Sequence, residues 1–152
     1  MGECLPVPDV LAYLAGRWHV HRTARDFAGG DEGREGRFEG TTVFSPLDGG
    51  GLLHHESGTF TWQGVPRPAE RTLRFLPDDA PGTADVRFAD GRPFHDLDLT
   101  TGHWVADHPC SADLYRGEFT AYDADHWRTV WRVRGPAKDL LLTTDYTRAP
   151  DA

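Results

Sequence analysis

Cysteine, lysine and unbroken apolar runs are what this sequence has least of, and each shortage excludes something. Only two cysteines, Cys4 and Cys110, occur in 152 residues. They lie far apart in a chain with no export signal, where reducing conditions keep thiols free, so no disulfide is expected. The N-terminus MGECLPVPDVLAYLAG has neither the basic start nor the continuous apolar core of a secretory signal, and no later segment approaches the roughly 18 apolar residues of a membrane span. The expected location is the cytoplasm. Lys138 is the sole lysine, no basic run exceeds two residues, and the formal net charge is −8. Such a chain has no electrostatic footprint for phosphate backbones or anionic lipid, which removes nucleic acid and membranes from the expected partners. Gly-X-Gly-X-X-Gly, Walker and Gly-X-Ser-X-Gly patterns are absent too, and with them go the nucleotide-binding and serine-hydrolase readings.

What the sequence has is period-two patterning. A length of 152 residues fits one domain, residues 1–152, able to bury about two-thirds of its unfolded surface without disulfide or metal staples. Pro8 to Ala15 places Val10, Leu11 and Leu14 at helical spacing behind Asp9 as a cap, and Gly16 stops the helix. From Arg17 the period becomes two, with Trp18, Val20 and Arg22 on one face. Asp26 to Gly36 is glycine-rich and acidic and reads as a surface loop; no helix start follows to make it an anion cradle. RFEGTTVFS is the second strand. Next, LLHHESGTFTW puts Leu52, His54, Glu56, Gly58, Phe60 and Trp62 on the inner face. ERTLRFL buries Leu73 and Phe75, and ADVRFA leads into Asp90-Gly91, the strongest short hairpin signal of the chain.

The stretch from Arg92 to Gly117 is the centre of the sequence, because it gathers three of the eight histidines with Cys110, Trp104 and Tyr115. A two-residue loop at Asp90-Gly91 sets Val86 opposite His95 and turns His95 inward, with Asp96 and Asp98 outward. HWVADH alternates Trp104, Ala106 and His108 on one face, and Pro109 is expected to end the strand because it has no N–H to give. A three-residue loop at Asp123-Ala124-Asp125 sets Ala121 opposite Trp127, Phe119 opposite Thr129, Gly117 opposite Trp131 and Tyr115 opposite Val133. The last strand alternates Leu142, Thr144, Tyr146 and Arg148. About ten short strands with sequential hairpins and one front helix predict an all-β fold, a single antiparallel up-and-down barrel of eight to ten strands around room for one small ligand. Trp18, Phe60, Val86, Leu97, Phe119, Trp131 and Leu142 are its expected core.

The short helix leading into Gly16-Arg17-Trp18 resembles the lipocalin Gly-X-Trp signature, and Arg148 is placed like the arginine that packs on that tryptophan. His55-Glu56-Ser57-Gly58 resembles a strand of the nitrobindin-like group. More fully, LAGRW, GRFxGT, GLLxxExG, GRPFHxLDL, HxCxxDxYxGxF and GPxKD resemble an uncharacterised lipocalin-like bacterial domain family of the calycin superfamily, over nearly the whole chain. That superfamily also holds the fatty-acid-binding proteins. The resemblance implies a calycin-like barrel and carries no activity. Two departures stand out: the export signal and disulfides of secreted lipocalins are missing, and no histidine near the C-terminus stands where nitrobindin-like barrels bind haem.

The candidate chemistry is polar and inward. A buried His95 is either a satisfied core residue or a general base, since its ordinary pKa lies near working pH. An inward Glu56 is either neutralised by Arg22 or Arg148 or is part of a site. His95, Glu56 and Tyr115 form the candidate catalytic set, and Arg22, His54, His108, Cys110, Trp131 and Tyr146 the candidate ligand-binding set. His108, Cys110 and nearby His103 are of zinc-ligand type, but without the spacing of a finger or ribbon no metal is assigned, and no cofactor is expected. A nucleophilic Cys110 needs an adjacent base, whose proximity a sequence does not give. Lys138 reads as a solvated turn residue. The favoured function is binding of a small hydrophobic or amphipathic molecule in the barrel. Its alternative is a cofactor-independent isomerase, cyclase or lyase using His95 with Glu56 or Tyr115, and a haem- or zinc-binding barrel comes third. The expected partner is a small-molecule ligand, with a homodimer as the one protein assembly left open.

Overall fold

The computed structural model describes residues 4–28, 34–110 and 112–150, apart from the side chains of Pro109 and Cys110. One short helix, α1 (Val10–Leu14), precedes β1 (Gly16–Asp26), β2 (Arg34–Pro46), β3 (Leu52–Trp62), β4 (Val65–Pro77), β5 (Ala84–Phe88), β6 (Pro93–Leu97), β7 (His103–Cys110), β8 (Asp113–Asp123), β9 (His126–Gly135) and β10 (Lys138–Arg148). The strands form one ten-stranded sheet in the order β6-β5-β4-β3-β2-β1-β10-β9-β8-β7. Each hydrogen-bonded pair is antiparallel, and β1 meets β10 with Trp18 opposite Arg148. The sheet curls into a nearly closed barrel whose seam lies between β6 and β7. Side chains bridge that seam: Trp104 Nε1 donates to the Asp96 carbonyl at 2.9 Å, and the His108 ring lies 5.2 Å from that of Phe94.

Alternation explains the core. On β1, Trp18, Val20 and Ala24 are buried while Arg17, His19 and His21 are not; on β3, Leu52, His54 and Glu56 are buried while His55 and Ser57 are exposed. One end is plugged. The Asp9 carboxylate accepts from Ala12 N–H to cap α1, and Val10 and Leu14 are fully buried. Each such burial stabilises by roughly 1.5–3 kcal/mol. Trp18 Nε1 donates to the Leu14 carbonyl at 2.8 Å, and the Arg148 guanidinium covers the Trp18 ring at 4.1 Å. Arg148 also donates to the carbonyls of Tyr13, Ala15 and Ala124. Helix, first strand and last strand are thereby tied at the closed end.

Several sequence expectations are corrected in detail. The Asp90-Gly91 turn is not a two-residue loop. Phe88 and Arg92 pair instead, with Phe88 N–H donating to the Arg92 carbonyl at 2.9 Å, and Gly91 takes the left-handed backbone that a three-residue loop requires (φ 92°). A β-bulge between Val86 and Arg87 then restores Val86 opposite His95, so His95 does face inward. The Asp123–Asp125 hairpin behaves likewise. Its loop is tighter, with Asp123 opposite His126, and a bulge returns Ala121 to Trp127, Phe119 to Thr129, Gly117 to Trp131 and Tyr115 to Val133. Pro109 does not end its strand: it pairs in register with Leu114, and Cys110 with Asp113. The strand is an edge strand, where a missing N–H breaks no ladder. Of the acidic loop, Arg34–Gly36 belong to β2, and residues 29–33 lie outside the described residues. Trp18, Val86, Leu97 and Phe119 are buried, whereas Phe60, Trp131 and Leu142 are only half-buried. These three line the cavities described next.

Candidate functional site

Among the described residues, the barrel holds an outer and an inner cavity. The outer one, about 280 Å³, sits near the unplugged end between β1–β4 and β10, with Phe38, Phe60, Trp62, Ala69, Leu140 and Leu142 as apolar walls and Arg22 and Glu56 among its polar lining. An open groove over Val65 and Arg67 shares Phe60 and Trp62 with it, so the β3–β4 hairpin makes an apolar ramp to the opening. The inner cavity is far smaller, about 30 Å³, and lies between His54, Phe94, His95, Trp127, Trp131 and Tyr146. It has room for little more than a water molecule. Arg71 borders both.

Arg22 and Glu56 arrive from neighbouring inner faces of the same sheet. Two guanidinium nitrogens of Arg22 donate to the two Glu56 oxygens, each at 2.9 Å, Arg22 Nε donates to Thr144 Oγ1 at 2.7 Å, and Thr42 Oγ1 donates to Glu56 at 3.2 Å. Burial pushes the Glu56 carboxyl upward, but the Arg22 hydrogen bonds and charge, joined by Arg71, outweigh it and hold the pKa down at about 2. Glu56 is ionised with both oxygens taken, which leaves it a weak proton acceptor. Tyr146, stacked on Trp127 with ring centroids 3.8 Å apart, has its hydroxyl 3.4 Å from Arg22. Burial raises its pKa.

His54 is held differently. Its ring lies 4.8 Å from Phe44 and 5.5 Å from Phe75, and among the described residues neither of its nitrogens has a hydrogen-bond partner. Burial, then the charge of Arg71, brings its pKa down to about 3, so it is neutral. His95 does have a partner: its Nδ1 lies 2.7 Å from the Asp96 carbonyl. A carbonyl only accepts, so Nδ1 carries the proton and Nε2 is left as an acceptor. Burial lowers the His95 pKa, against the Asp96 hydrogen bond, which raises it.

The proposed residues therefore fall into groups. Arg22 and Glu56 are together, with Tyr146 beside them. His95 joins Trp131 and Phe119 at 5.4 and 5.3 Å. His108 lies 6.0 Å from Tyr115, and it meets His95 through Phe94, whose ring is 4.7 Å from the one and 5.2 Å from the other. No described contact joins His95 to Glu56 or directly to Tyr115. The Cys110 side chain lies outside the described residues. No group of three or more metal-ligating side chains occurs among the described residues.

Several lining residues lie outside the site expected from sequence, Arg71, Trp62 and Phe94 among them. Arg71 shares strand parity with buried Leu73 and Phe75, and that alternation could have found it. Strand parity turns Trp62 inward, and the fold makes it a wall of both the outer cavity and the groove. Phe94 had no signal at all, because it is the extra residue of the bulge, and only the bulge lets it stack on Phe88 and Trp131 at 4.6 and 5.3 Å.

The chain belongs to a family of unknown function, DUF6314, whose pattern it matches over residues 14–148. No curated protein matches the sequence. Among solved structures, the S-type phycobiliprotein lyase CPES from Guillardia theta superposes with a TM-score of 0.71 at 9% identity, covering 97% of this chain and 95% of that one. A protein of unknown function from the DUF3598 family of Nostoc punctiforme gives 0.63 at 12% identity, covering 97% of this chain and 50% of the other. At such identities the likeness is one of fold.

Proposed function

We propose that this barrel, a calycin-like domain spanning the chain, binds one small hydrophobic or amphipathic molecule in its outer cavity. The carrying observation is a cavity of about 280 Å³ that is walled by aromatic and aliphatic side chains yet carries a fully hydrogen-bonded ion pair. Binding sites combine mostly apolar walls with a few fixed polar groups in this way, and the volume lies near the low end of the roughly 300–1,000 Å³ usual for them. The bonded state of Arg22 and Glu56 supports a role in shaping the cavity more than one in proton transfer. The fold likeness to a phycobiliprotein lyase agrees with a barrel that takes up a small molecule.

The test is titration with a neutral amphipathic fluorophore such as prodan. One molecule should bind per chain with a blue-shifted emission, and Leu142→Trp, which fills the cavity, should abolish binding while far-UV circular dichroism stays unchanged. Probe binding indifferent to the filling substitution sinks the reading.

A second reading, an isomerase, cyclase or lyase acting through His95, is favoured by one observation: the neutral ring keeps Nε2 as an acceptor at the wall of the inner cavity. Turnover in a metabolite screen that His95→Gln removes without loss of prodan binding would decide for it.

A further inference from the structure

The cavity has two arginines and only one carboxylate committed to them. Arg22 is consumed: its nitrogens are bonded to Glu56, Thr144 and Tyr146. Glu56 is consumed as well, by Arg22 and Thr42. Arg71 lies opposite Glu56 across the β3–β4 ladder and lines both cavities, yet among the described residues its side chain makes no hydrogen bond or ion pair. Its neighbour Glu70 also borders the opening, but strand alternation sends that carboxylate to the outer face, where it lies 3.7 Å from His55 Nε2. Both partners there are well exposed.

The charge of Arg71 is nevertheless felt inside. It acts on Glu56, His54, His95 and Tyr146, in each case disfavouring a proton. His54 and His95 are neutral through burial, and Glu56 is cancelled by Arg22. Among the described residues, the chamber of a chain with net charge −8 is thus left with one uncompensated cation, Arg71, where the outer and inner cavities meet. Arginine presents a planar fork of donors that matches a carboxylate or phosphate in two parallel hydrogen bonds. Placed beside apolar walls, such a fork selects a molecule with an anionic oxygen group at one end and a hydrophobic body.

Resting on the binding reading above, we propose that Arg71 anchors the head group of the ligand, and that the ligand is an amphipathic anion, an organic carboxylate or a phosphate monoester, with its apolar part against Phe60, Trp62 and Leu142.

The experiment is displacement of prodan at pH 7.5 by four molecules of one chain length: octanoate, octyl phosphate, octanol and octylamine. Octanoate or octyl phosphate should displace the probe at roughly tenfold lower concentration than octanol, with octylamine the weakest, and the better of the two anions names the head group. Arg71→Gln should reduce that preference to about threefold or less while leaving octanol unchanged, and Arg71→Lys should restore part of it. Arg71 is exposed at the opening, so both variants should keep the wild-type thermal midpoint. Anions and octanol competing equally in the wild type, or an anion preference that survives Arg71→Gln, overturns the proposal and leaves the binding reading standing. Failure of prodan and of all four molecules to bind overturns both.

Discussion

Arg22 holds Glu56 through two parallel hydrogen bonds of 2.9 Å, with side-chain exposures of only 14% and 3%. A pair so deeply placed stabilises little over an apolar equivalent, because desolvation offsets its attraction, but removing one member leaves the other charged and alone. Arg22→Met is therefore expected to destabilise by about 3–5 kcal/mol, and Arg22→Met with Glu56→Leu by far less, in urea unfolding at pH 7.5. A double variant as unstable as the single one would show that the pair is worth more than its desolvation.

Acid stability follows from the same interior. Folding lowers the His54 pKa from an ordinary 6.5 to about 3, so between these values the unfolded chain binds the proton that the folded chain refuses. Stability is then complete above about 6.5 and declines as pH falls towards 3. Glu56 acts in the same direction lower down, being depressed from 4.5 to about 2: its contribution is complete above 4.5 and is lost as pH falls through 2. His54→Phe removes two buried nitrogens without partners and should stabilise the protein by about 1–3 kcal/mol at pH 7.5. The gain should be larger at pH 5, where the wild type has begun to lose stability. Equal gains at both pH values would place the His54 pKa elsewhere.

Gly40 and Gly58 face each other across β2 and β3. A Cβ on either would run into backbone, the Ser57 carbonyl oxygen for Gly40 and that of Glu39 for Gly58. Backbone in a paired ladder cannot swing aside as a side-chain tip can. Gly40→Ala and Gly58→Ala should each cost at least the roughly 1–3 kcal/mol of overpacking, whereas Gly49→Ala, whose Cβ meets nothing within 4 Å, tests only the left-handed backbone. Thermal melts of the three variants make the comparison.

Period-two alternation made the barrel and most of its inner face legible: Trp18, His54, Glu56 and Tyr146 point where strand parity puts them. The two hairpins show what alternation cannot supply. Each loop differed from its expected length by one residue, and each time a bulge corrected the error, because a barrel interior penalises a register that turns apolar side chains outward. The facing pairs were therefore readable and the bulge residue Phe94 was not. Pairing of charges was hidden in part. The Gly-X-Trp resemblance already implied Arg148 over Trp18, as the fold has it, but sequence left Glu56 open between Arg22 and Arg148, and only the fold gives it to Arg22. A bulge also decides the site's geometry, since Phe94 is the ring through which His95 and His108 meet.

The seam gives the last prediction. Among the described residues no backbone ladder forms between β6 and β7, so each strand presents one row of N–H and C=O groups without a strand partner. The join rests on side chains: the Asp96 carbonyl accepts from Trp104 Nε1 at 2.9 Å and is 2.7 Å from His95 Nδ1. One carbonyl thus ties the seam to an inner-cavity histidine. Regions held by side chains alone open locally at lower free energy than laddered strands. In native-state hydrogen exchange, β6 and β7 should exchange well before β1 and β10, which are paired over nine positions from Trp18 to Asp26. Trp104→Phe keeps an aromatic ring but deletes the donor, and it should speed exchange in β6 and β7 by about threefold to tenfold, the effect of losing a bond worth about 1 kcal/mol, while β1 and β10 stay unchanged. Uniform acceleration across all strands would mean that the seam does not open separately, and that Trp104 supports the barrel as a whole.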